Sequence, residues 1–352
     1  MSKFWSKSLH QLNPYIPGEQ PKNQALLKLN TNENPYSPSP KVLSAIKLAA
    51  TENLRLYPDP ESTELRHTIA KYYNLNTSNI FVGNGSDEIL AFIFHGFFKK
   101  SCPVLFPNIT YSFYPVYCKL YEIDFHIISL DNNFEIDLKD YLIPNGGIIF
   151  PNPNAPTAIP KRANEIEELL RNNNDSVVVV DEAYVDFGTE SSISLIKKYE
   201  NLIVTQSLSK SRSLAGMRIG CAFASESIVE GLNRIKNSFN SYPVDRLAQI
   251  ASTVAFKDNE YFQLTRNKII KTRQFFLNEM NALGFVSLQS GANFIFTRHK
   301  SKSAEIIFKE LRKDDILIRF FNSPEIINNF LRITIGTQEQ MEQLVKKIES
   351  II

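Results

Sequence analysis

The chain has few of the residues that mark small secreted or metal-binding proteins. Its 352 residues include three cysteines, Cys102, Cys118 and Cys221, an odd number without the spacing of metal ligands. This excludes a disulfide framework and is typical of the reduced thiols of a cytoplasmic protein. The five histidines are scattered along the chain and do not indicate a metal site either.

An excess of one charge and long apolar runs are also lacking. The 39 basic and 37 acidic residues nearly balance, and no long basic run is present, so neither a nucleic-acid nor a membrane partner is expected. No run reaches membrane-spanning length. The first twenty residues are polar and include Pro14 and Pro17, so no signal peptide is predicted. A 43% apolar content predicts a globular protein with one large core and a smaller one.

The first two thirds of the chain alternate between strand and helix patterns, which predicts an α/β fold with a mostly parallel sheet flanked by helices. After Pro243 the pattern changes to long helices followed by short strands, which predicts a smaller α+β domain. The predicted strands are 80–82, 104–106, 124–128, 147–150, 176–180, 202–206, 294–296, 317–319 and 331–334. The predicted helices are 40–52, 61–73, 86–98, 112–121, 163–173, 245–257, 259–283 and 337–351. The predicted units are an N-terminal arm (1–30), a large domain (31–243) and a small domain (244–352).

The most informative residue is Lys210, in the segment Ser-Leu-Ser-Lys-Ser-Arg-Ser-Leu-Ala-Gly-Met-Arg. A lysine amine can condense with an aldehyde cofactor, while Ser207, Ser209 and the guanidinium of Arg218 can bind its phosphate. A single lysine is usually a solvated surface charge. The interpretation therefore depends on the other motifs.

Two further motifs lie where a sheet would present them to a ligand. The β-branched run 176–180 is typical of a strand buried on both faces, and it ends in Asp181. Ligands of open α/β sheets bind at the carboxyl ends of strands, so Asp181 can pair with a protonated ring nitrogen, although it could also be a helix cap. The turn Gly83–Asp87 joins a strand to a helix, where free backbone N–H groups favour an anion.

Together and in order, these segments resemble the fold-type I pyridoxal-phosphate aminotransferases, and among them the histidinol-phosphate aminotransferases. The resemblance covers nearly the whole chain. The segments that carry it are Asn13–Gly18, Leu29–Tyr36, Tyr57–Asp59, Gly83–Glu88, Asn152–Thr157, Asp181–Tyr184, Ser207–Gly220 and Leu331–Gly336.

The resemblance implies roles for residues around a pyridoxal phosphate. Lys210 would carry the cofactor and move the proton, Asp181 would bind the ring nitrogen, and Tyr184 would bind the ring oxygen O3′. Tyr111 matches the ring-stacking residue, although Phe113 and Tyr114 lie close in the sequence. The residues implied at the phosphate are Gly85, Ser86, Asp87, Ser207, Ser209, Arg218 and, across the interface of a homodimer, Tyr57 of a second subunit.

One position departs from the family pattern. The family loop often reads Asn-Asn-Pro-Thr-Gly, with the asparagine before the proline bonded to O3′, but here that position is Ala155. Asn154 is the expected substitute, and Asn152 is an alternative.

The resemblance also implies the substrates. Arg332 matches the residue that binds a carboxylate, and Arg319 and Tyr15 complete a site that could hold a phosphate monoester. Alternatively, Arg319 pairs with Asp314 or Asp315. The expected reaction is transamination of L-histidinol phosphate with 2-oxoglutarate, giving imidazole-acetol phosphate and glutamate in histidine biosynthesis.

Other functions remain possible from the sequence. Within the same fold, the alternatives are an aromatic amino acid aminotransferase and a phosphothreonine decarboxylase. A regulator that keeps the fold would normally carry a DNA-binding domain, and no basic helix-turn-helix block precedes the first helices. A nucleotide-binding module that used Gly83–Asp87 would need a Walker lysine followed by a metal-binding Ser or Thr, and this pair is lacking.

Overall fold

The computed structural model describes residues 2–21, 26–98 and 101–352. The helices are α1 Lys7–Gln11, α2 Pro40–Ala49, α3 Thr63–Tyr73, α4 Gly85–Phe97, α5 Tyr114–Leu120, α6 Ala163–Asn172, α7 Glu226–Phe239, α8 Arg246–Lys257, α9 Asn259–Ala282, α10 Ala304–Lys313 and α11 Gln338–Ile351. The strands are β1 Leu27–Lys28, β2 Ile80–Asn84, β3 Val104–Pro107, β4 Phe125–Ile128, β5 Gly147–Pro151, β6 Val178–Asp181, β7 Leu202–Ser207, β8 Ile219–Ala224, β9 Phe285–Ser287, β10 Phe294–His299, β11 Ile316–Leu317, β12 Arg319–Phe320 and β13 Leu331–Thr334.

The larger sheet has seven strands in the order β2-β8-β7-β6-β5-β3-β4. Strands β3 to β7 pair in parallel, whereas β8 runs antiparallel to both β2 and β7. The expected α/β architecture with a mostly parallel sheet is confirmed. Strand β8 was not predicted, because its run 219–224 directly follows the Lys210 segment without an intervening helix.

The sheet is buried on both faces, as the β-branched run indicated. Val178 and Val180 pack in one hydrophobic cluster and Val179 packs in the cluster on the opposite face, because successive strand residues alternate in direction. Asp181 ends this strand, and Ser207 ends the neighbouring β7. Parallel pairing brings these carboxyl ends to the same edge of the sheet.

A second set of strands contains the C-terminal part of the chain. Four antiparallel strands lie in the order β12-β13-β10-β9, and β1 pairs in parallel with β11. The predicted strand 317–319 is divided, because Leu317 pairs with the N-terminal strand and Arg319 pairs with β13. Helices α7 and α10 and strand β9 were not predicted. The domain limits at residues 30 and 243 stay a prediction.

Within the described ranges, no helix combines the length and the apolar character needed to cross a bilayer.

Candidate active site

A cavity of about 500 Å³ lies at the carboxyl ends of β5, β6 and β7. It is bordered on the other side by residues of the N-terminal segment and of β12 and β13. The residues implied by the sequence that line it are Tyr15, Ser86, Asp87, Tyr111, Asp181, Tyr184, Ser207, Ser209, Lys210, Arg218, Arg319 and Arg332. Side chains separated by up to about three hundred positions in the sequence therefore meet in one space.

One end of the cavity is suited to an anion. Gly85 begins α4 with a φ of +80°, and a Cβ placed there would lie 2.7 Å from Nη2 of Arg218. A Cβ on Gly220 would lie 2.5 Å from the backbone nitrogen of Ser86, so both glycines are needed for this close packing. Arg218 donates to Asp87 Oδ2 at 3.2 Å and to Ser209 Oγ at 3.5 Å. Helix N-terminal N–H groups, hydroxyls and a guanidinium together form a cradle that suits an anion such as a phosphate.

Asp181 lines the cavity, and its side chain is buried. Its carboxylate accepts hydrogen bonds from Tyr114 Oη at 3.1 Å and from Thr205 Oγ1 at 3.3 Å. Burial raises the pKa of Asp181 to about 6, although both hydrogen bonds favour the charged form. A buried carboxylate of this kind gains most from a cationic partner, and a protonated ring nitrogen supplies one.

Lys210 extends into the cavity between two neighbours. Its Nζ donates to the backbone oxygen of Thr31 at 3.1 Å and lies 5.8 Å from the ring centre of Tyr184. The hydroxyl of Tyr184 accepts a hydrogen bond from Asn32 Nδ2 at 3.0 Å. The amine and the phenol thus face the same space, and both are held by consecutive residues of the N-terminal segment.

The opposite end of the cavity contains two arginines from paired strands. Arg319 on β12 and Arg332 on β13 are direct partners in the antiparallel register. Nη2 of Arg332 donates to the backbone oxygen of Asn30 at 2.8 Å, but its buried Nε has no partner among the described residues. Desolvation by burial lowers the pKa of Arg332. The alternative pairing of Arg319 is not observed for Asp314, which instead forms an ion pair with Lys347 at 3.2 Å.

The aromatic candidates are distinguished by their positions. Tyr111 lines the cavity and its hydroxyl donates to Asp87 Oδ1 at 2.9 Å. Tyr114 is fully buried below it and donates to Asp181. Phe113 does not line the cavity and packs instead against Tyr15, with ring centres 4.8 Å apart. Of these three candidates, Tyr111 is therefore the one whose ring could stack against a ligand.

Three predicted residues do not line the cavity. Gly85 lies behind its neighbours in the cradle. Asn154 is buried and its amide is engaged, because its Nδ2 donates to the backbone oxygen of Ile109 at 2.9 Å and to Thr157 Oγ1 at 3.0 Å, and its Oδ1 accepts from Thr110 Oγ1 at 3.2 Å. Contrary to expectation, Ala155 lines the cavity in its place. The alternative, Asn152, is bonded to the backbone of Lys161 through both ends of its amide.

Tyr57 lies outside the cavity. Its side chain is 78% exposed, and its ring stacks on Tyr242 with centres 4.6 Å apart. Arg246 donates to its backbone oxygen at 2.9 Å, which holds the segment in place.

The N-terminal segment supplies cavity residues to which no role was assigned from the sequence. Asn30, Thr31, Asn32 and Glu33 all line the cavity, as does Phe321 beside the two arginines. The closely spaced asparagines of Leu29–Tyr36 were part of the resemblance, and polar residues at this density were the signal that could have indicated direct participation. Phe321 had no such signal. No cluster of metal-ligating side chains occurs within the described ranges.

The donor set fits a phosphorylated aromatic aldehyde. The cavity provides an amine, a buried acid, a stacking ring and an anion cradle, and the cradle is tight enough that two of its positions have no room for a Cβ. These are the groups that a pyridoxal phosphate requires.

Comparison with known proteins identifies the family. Residues 24–348 match the model of "Aminotransferase class I and II". The chain is 52% identical over 351 residues to a histidinol-phosphate aminotransferase of Pseudomonas syringae, with full coverage of both chains. It is 53% identical over 352 residues to the protein of that name from Clostridium botulinum, covering all of this chain and 99% of the other.

Solved structures agree in fold. Histidinol-phosphate aminotransferase of Sinorhizobium meliloti, determined in complex with pyridoxal 5′-phosphate, superposes with a TM-score of 0.88 at 22% identity, covering all of this chain and 99% of the other. The corresponding enzyme of Clostridium acetobutylicum gives a TM-score of 0.86 at 24% identity, covering 93% of this chain and 99% of the other. From the family match, the full-length relatives and the shared fold, the chain belongs to the class I and II aminotransferases of fold type I, among the histidinol-phosphate aminotransferases.

Proposed function

We propose that this aminotransferase binds pyridoxal phosphate and transfers the amino group of L-histidinol phosphate to 2-oxoglutarate, forming imidazole-acetol phosphate and glutamate. The proposal is supported by the names of its full-length relatives at 52% and 53% identity. It is supported independently by the charges of the cavity, where one arginine pair lies at the end opposite the phosphate cradle.

The arginine pair is the observation on which the substrate depends. A histidinol phosphate has no carboxylate, and its anionic group is a phosphate monoester that carries up to two negative charges. Arg319 and Arg332 together offer two guanidinium groups, and the buried Nε of Arg332 is an unused donor. Two adjacent guanidinium groups are suited to a dianion. The same pair would hold the carboxylates of 2-oxoglutarate in the second half of the cycle.

Different residues of the chain would bind the phosphate and the ring of the cofactor. When bound, pyridoxal phosphate supplies an aldehyde that carries the amino group and an electron-accepting ring. Arg218, Ser207, Ser209 and the start of α4 would bind its phosphate. Asp181 would keep the ring nitrogen protonated, since a carboxylate buried among apolar groups is stabilised by a cation.

Proton transfer is assigned to Lys210. Its Nζ is held near the cavity centre by the backbone oxygen of Thr31, at 3.1 Å. Once the substrate amine had taken its place, this nitrogen would be free to take the proton from the substrate α-carbon and to pass it on to the cofactor. The hydroxyl of Tyr184 would hold the ring oxygen on the same side.

The substrate proposal is tested by replacing Arg319 with leucine. In single-turnover reactions followed by absorbance, Arg319→Leu should lower the rate constant over Kd for histidinol phosphate by roughly 30-fold, about 2 kcal/mol, the lower end of the range for losing a partner of a bound charge. The lower end applies because Arg319 is only half-buried. Phenylalanine, which has no phosphate, should be affected less.

The matched control is Arg298→Leu. Arg298 lies on the neighbouring strand β10, is exposed, and does not line the cavity. The Arg298→Leu variant should leave the rate constant over Kd unchanged for both histidinol phosphate and phenylalanine. Equal losses for histidinol phosphate and phenylalanine in Arg319→Leu would mean that Arg319 is structural, and would contradict its phosphate-binding role.

We further propose a homodimer in which Tyr57 reaches the cofactor phosphate of the partner. Its exposed ring is held by the stack on Tyr242 and by the Arg246 contact. Mixing an inactive Lys210→Ala variant with a Tyr57→Ala variant should restore activity, because one of the two sites in a mixed dimer is then intact. Activity that never exceeds the sum of the separate variants would contradict the shared site.

The proposed location is the cytoplasm. Cys102, Cys118 and Cys221 are unpaired, in keeping with a reducing compartment. Fractionation of the source cells followed by the transamination assay tests this location.

A further inference from the structure

Asn32 connects three parts of the active site through its hydrogen bonds. Its backbone N–H donates to Thr334 Oγ1 at 3.0 Å, and its backbone oxygen accepts from Asn293 Nδ2 at 2.9 Å. Its side chain accepts from the Thr334 hydroxyl at 3.1 Å and donates to Tyr184 Oη at 3.0 Å. The residue is 1% exposed and has a φ of 58°, in the left-handed region that asparagine tolerates well. Asn32 is thus fixed on all sides.

The network decides which end of the amide faces the phenol. Thr334 Oγ1 already accepts the backbone N–H of Asn32, so its own proton is free to donate, and the acceptor beside it is Oδ1. This leaves Nδ2, which can only donate, facing Tyr184. The hydroxyl of Tyr184 therefore acts as an acceptor toward Asn32.

The phenolic proton must then go elsewhere. A tyrosine hydroxyl has one proton, and no described residue accepts it. Tyr184 lines the cavity, as does Ala155, which has no polar side chain, while Asn154 does not line it and its Nδ2 donates to Ile109 and Thr157. The proton of Tyr184 is thus available to a ligand oxygen in the cavity.

We propose that Asn32 is a positioning residue that orients the hydroxyl of Tyr184, so that its proton is delivered into the cavity to the ring oxygen of the bound cofactor. The proposal rests on the proposed pyridoxal-phosphate function. Asn32 acts by occupying a lone pair of the phenol oxygen, which forbids the opposite orientation of the hydroxyl.

The decisive variant is Asn32→Asp, which changes one NH2 group to oxygen and keeps the shape. The new carboxylate would accept the phenolic proton, so the hydroxyl would turn its lone pairs toward the cavity. Cofactor Kd, measured by titrating the cofactor-free protein, should rise roughly tenfold or more, the scale of a lost buried hydrogen bond. The pH at which the visible band of the bound cofactor changes should move upward, because a ring-oxygen anion without its donor holds nearby protons more tightly.

A double variant separates this route from a direct effect of the added charge. In a Tyr184→Phe background, Asn32→Asp should change both Kd and the band midpoint much less than in the wild type. Equal changes in the two backgrounds would overturn the proposal, since Asn32 would then act without Tyr184. Unchanged Kd and midpoint in Asn32→Asp alone would overturn it as well.

Asn32→Gly provides a second variant if the aspartate destabilises the fold. Glycine adopts a φ of 58° without strain and removes the amide, so Kd and midpoint should shift in the same direction but less. The control is Asn74→Asp, which adds a charge at another left-handed asparagine, φ 53°, on the protein surface. Failure of the histidinol-phosphate substrate proposal alone would leave these cofactor measurements unaffected, so the two outcomes are distinguishable.

Discussion

Replacing Asp181 by asparagine is expected to stabilise the cofactor-free protein while damaging the enzyme. The carboxyl group of Asp181 is buried, and its pKa rises from the ordinary 3.8 to about 6 because burial penalises the charge. Between these two values the folded state keeps a proton that the unfolded state has released. The free energy of unfolding therefore falls as pH rises through this window, and the loss is complete above about pH 6.

The size of the effect follows from the distance between the two pKa values. About two pH units at 1.36 kcal/mol each set an upper limit of roughly 3 kcal/mol at pH 8. Asparagine has the same shape and carries no charge, but Tyr114 and Thr205 donate to different carboxylate oxygens, and the single amide oxygen can keep only one of these hydrogen bonds. After about 1 kcal/mol is subtracted for the lost hydrogen bond, Asp181→Asn should gain up to about 2 kcal/mol over the wild type at pH 8, and nothing near pH 4.

Urea unfolding of cofactor-free protein between pH 4.5 and 8 measures this difference. Glu182 is also buried, and its pKa is raised to about 7, but it is present in both proteins and cancels in the comparison. The control is Asp124→Asn, an exposed acid next to strand β4, which should show no such trend. A wild type that equals or exceeds Asp181→Asn in stability at pH 8 would refute an uncompensated buried charge at this position.

With cofactor bound, the wild type should have the advantage over Asp181→Asn. The wild-type carboxylate then faces a cationic ring nitrogen, and asparagine leaves that cation without its partner. Turnover should fall by about 3 kcal/mol or more, a factor above one hundred, as when one partner of a buried pair is removed. Near-normal kcat in Asp181→Asn would assign the ring nitrogen to another acid.

Three further outcomes are expected. Borohydride treatment of the loaded enzyme should fix the cofactor on Lys210, as detected by peptide mass, and recovery of the label on another lysine would contradict its role. Gly220→Ala should weaken binding of inorganic phosphate and of cofactor at least tenfold, because its Cβ would lie 2.5 Å from the nitrogen of Ser86. Unchanged affinity in calorimetry would mean that the cradle can relax. Arg212→Met should lower the free energy of unfolding by about 2–3 kcal/mol. The reason is that the guanidinium lies between the rings of Phe256 and Phe262 and donates to the backbone oxygen of Ala255. An unchanged urea midpoint would show that these contacts contribute little.

Local sequence patterns were sufficient for elements with a strong hydrophobic signature. Strand β6 and helices α8 and α9 lie within about two residues of their predicted limits, because apolar periodicity fixes which residues must be buried. Strand β8 and helix α7 were missed. The direction of β8 depends on its partners β2 and β7, which lie far away or across a turn, and no local pattern encodes it.

In the candidate site, too, some residues could be predicted from local sequence patterns and others could not. Residues that follow buried strands or begin helices, such as Asp181 and Ser86, were anticipated as cavity residues because their position follows from the sheet. Asn154 was also predicted at the cavity but does not line it, since residues 152–157 form a loop of bends and a turn whose side-chain directions no local pattern fixes. The contribution of Asn32 also required three-dimensional information, because its partner Thr334 is 302 positions away.

The parallel pairing of Leu27–Lys28 with Ile316–Leu317 has a consequence for the making of the protein. A ribosome releases the amino end first, so the N-terminal segment must wait until nearly the whole chain has been synthesised before its strand partner exists. That same segment holds Lys210 through Thr31, Tyr184 through Asn32 and Arg332 through Asn30. A growing chain can build the seven-stranded sheet early, but it can complete the chemical centre only at the end of translation.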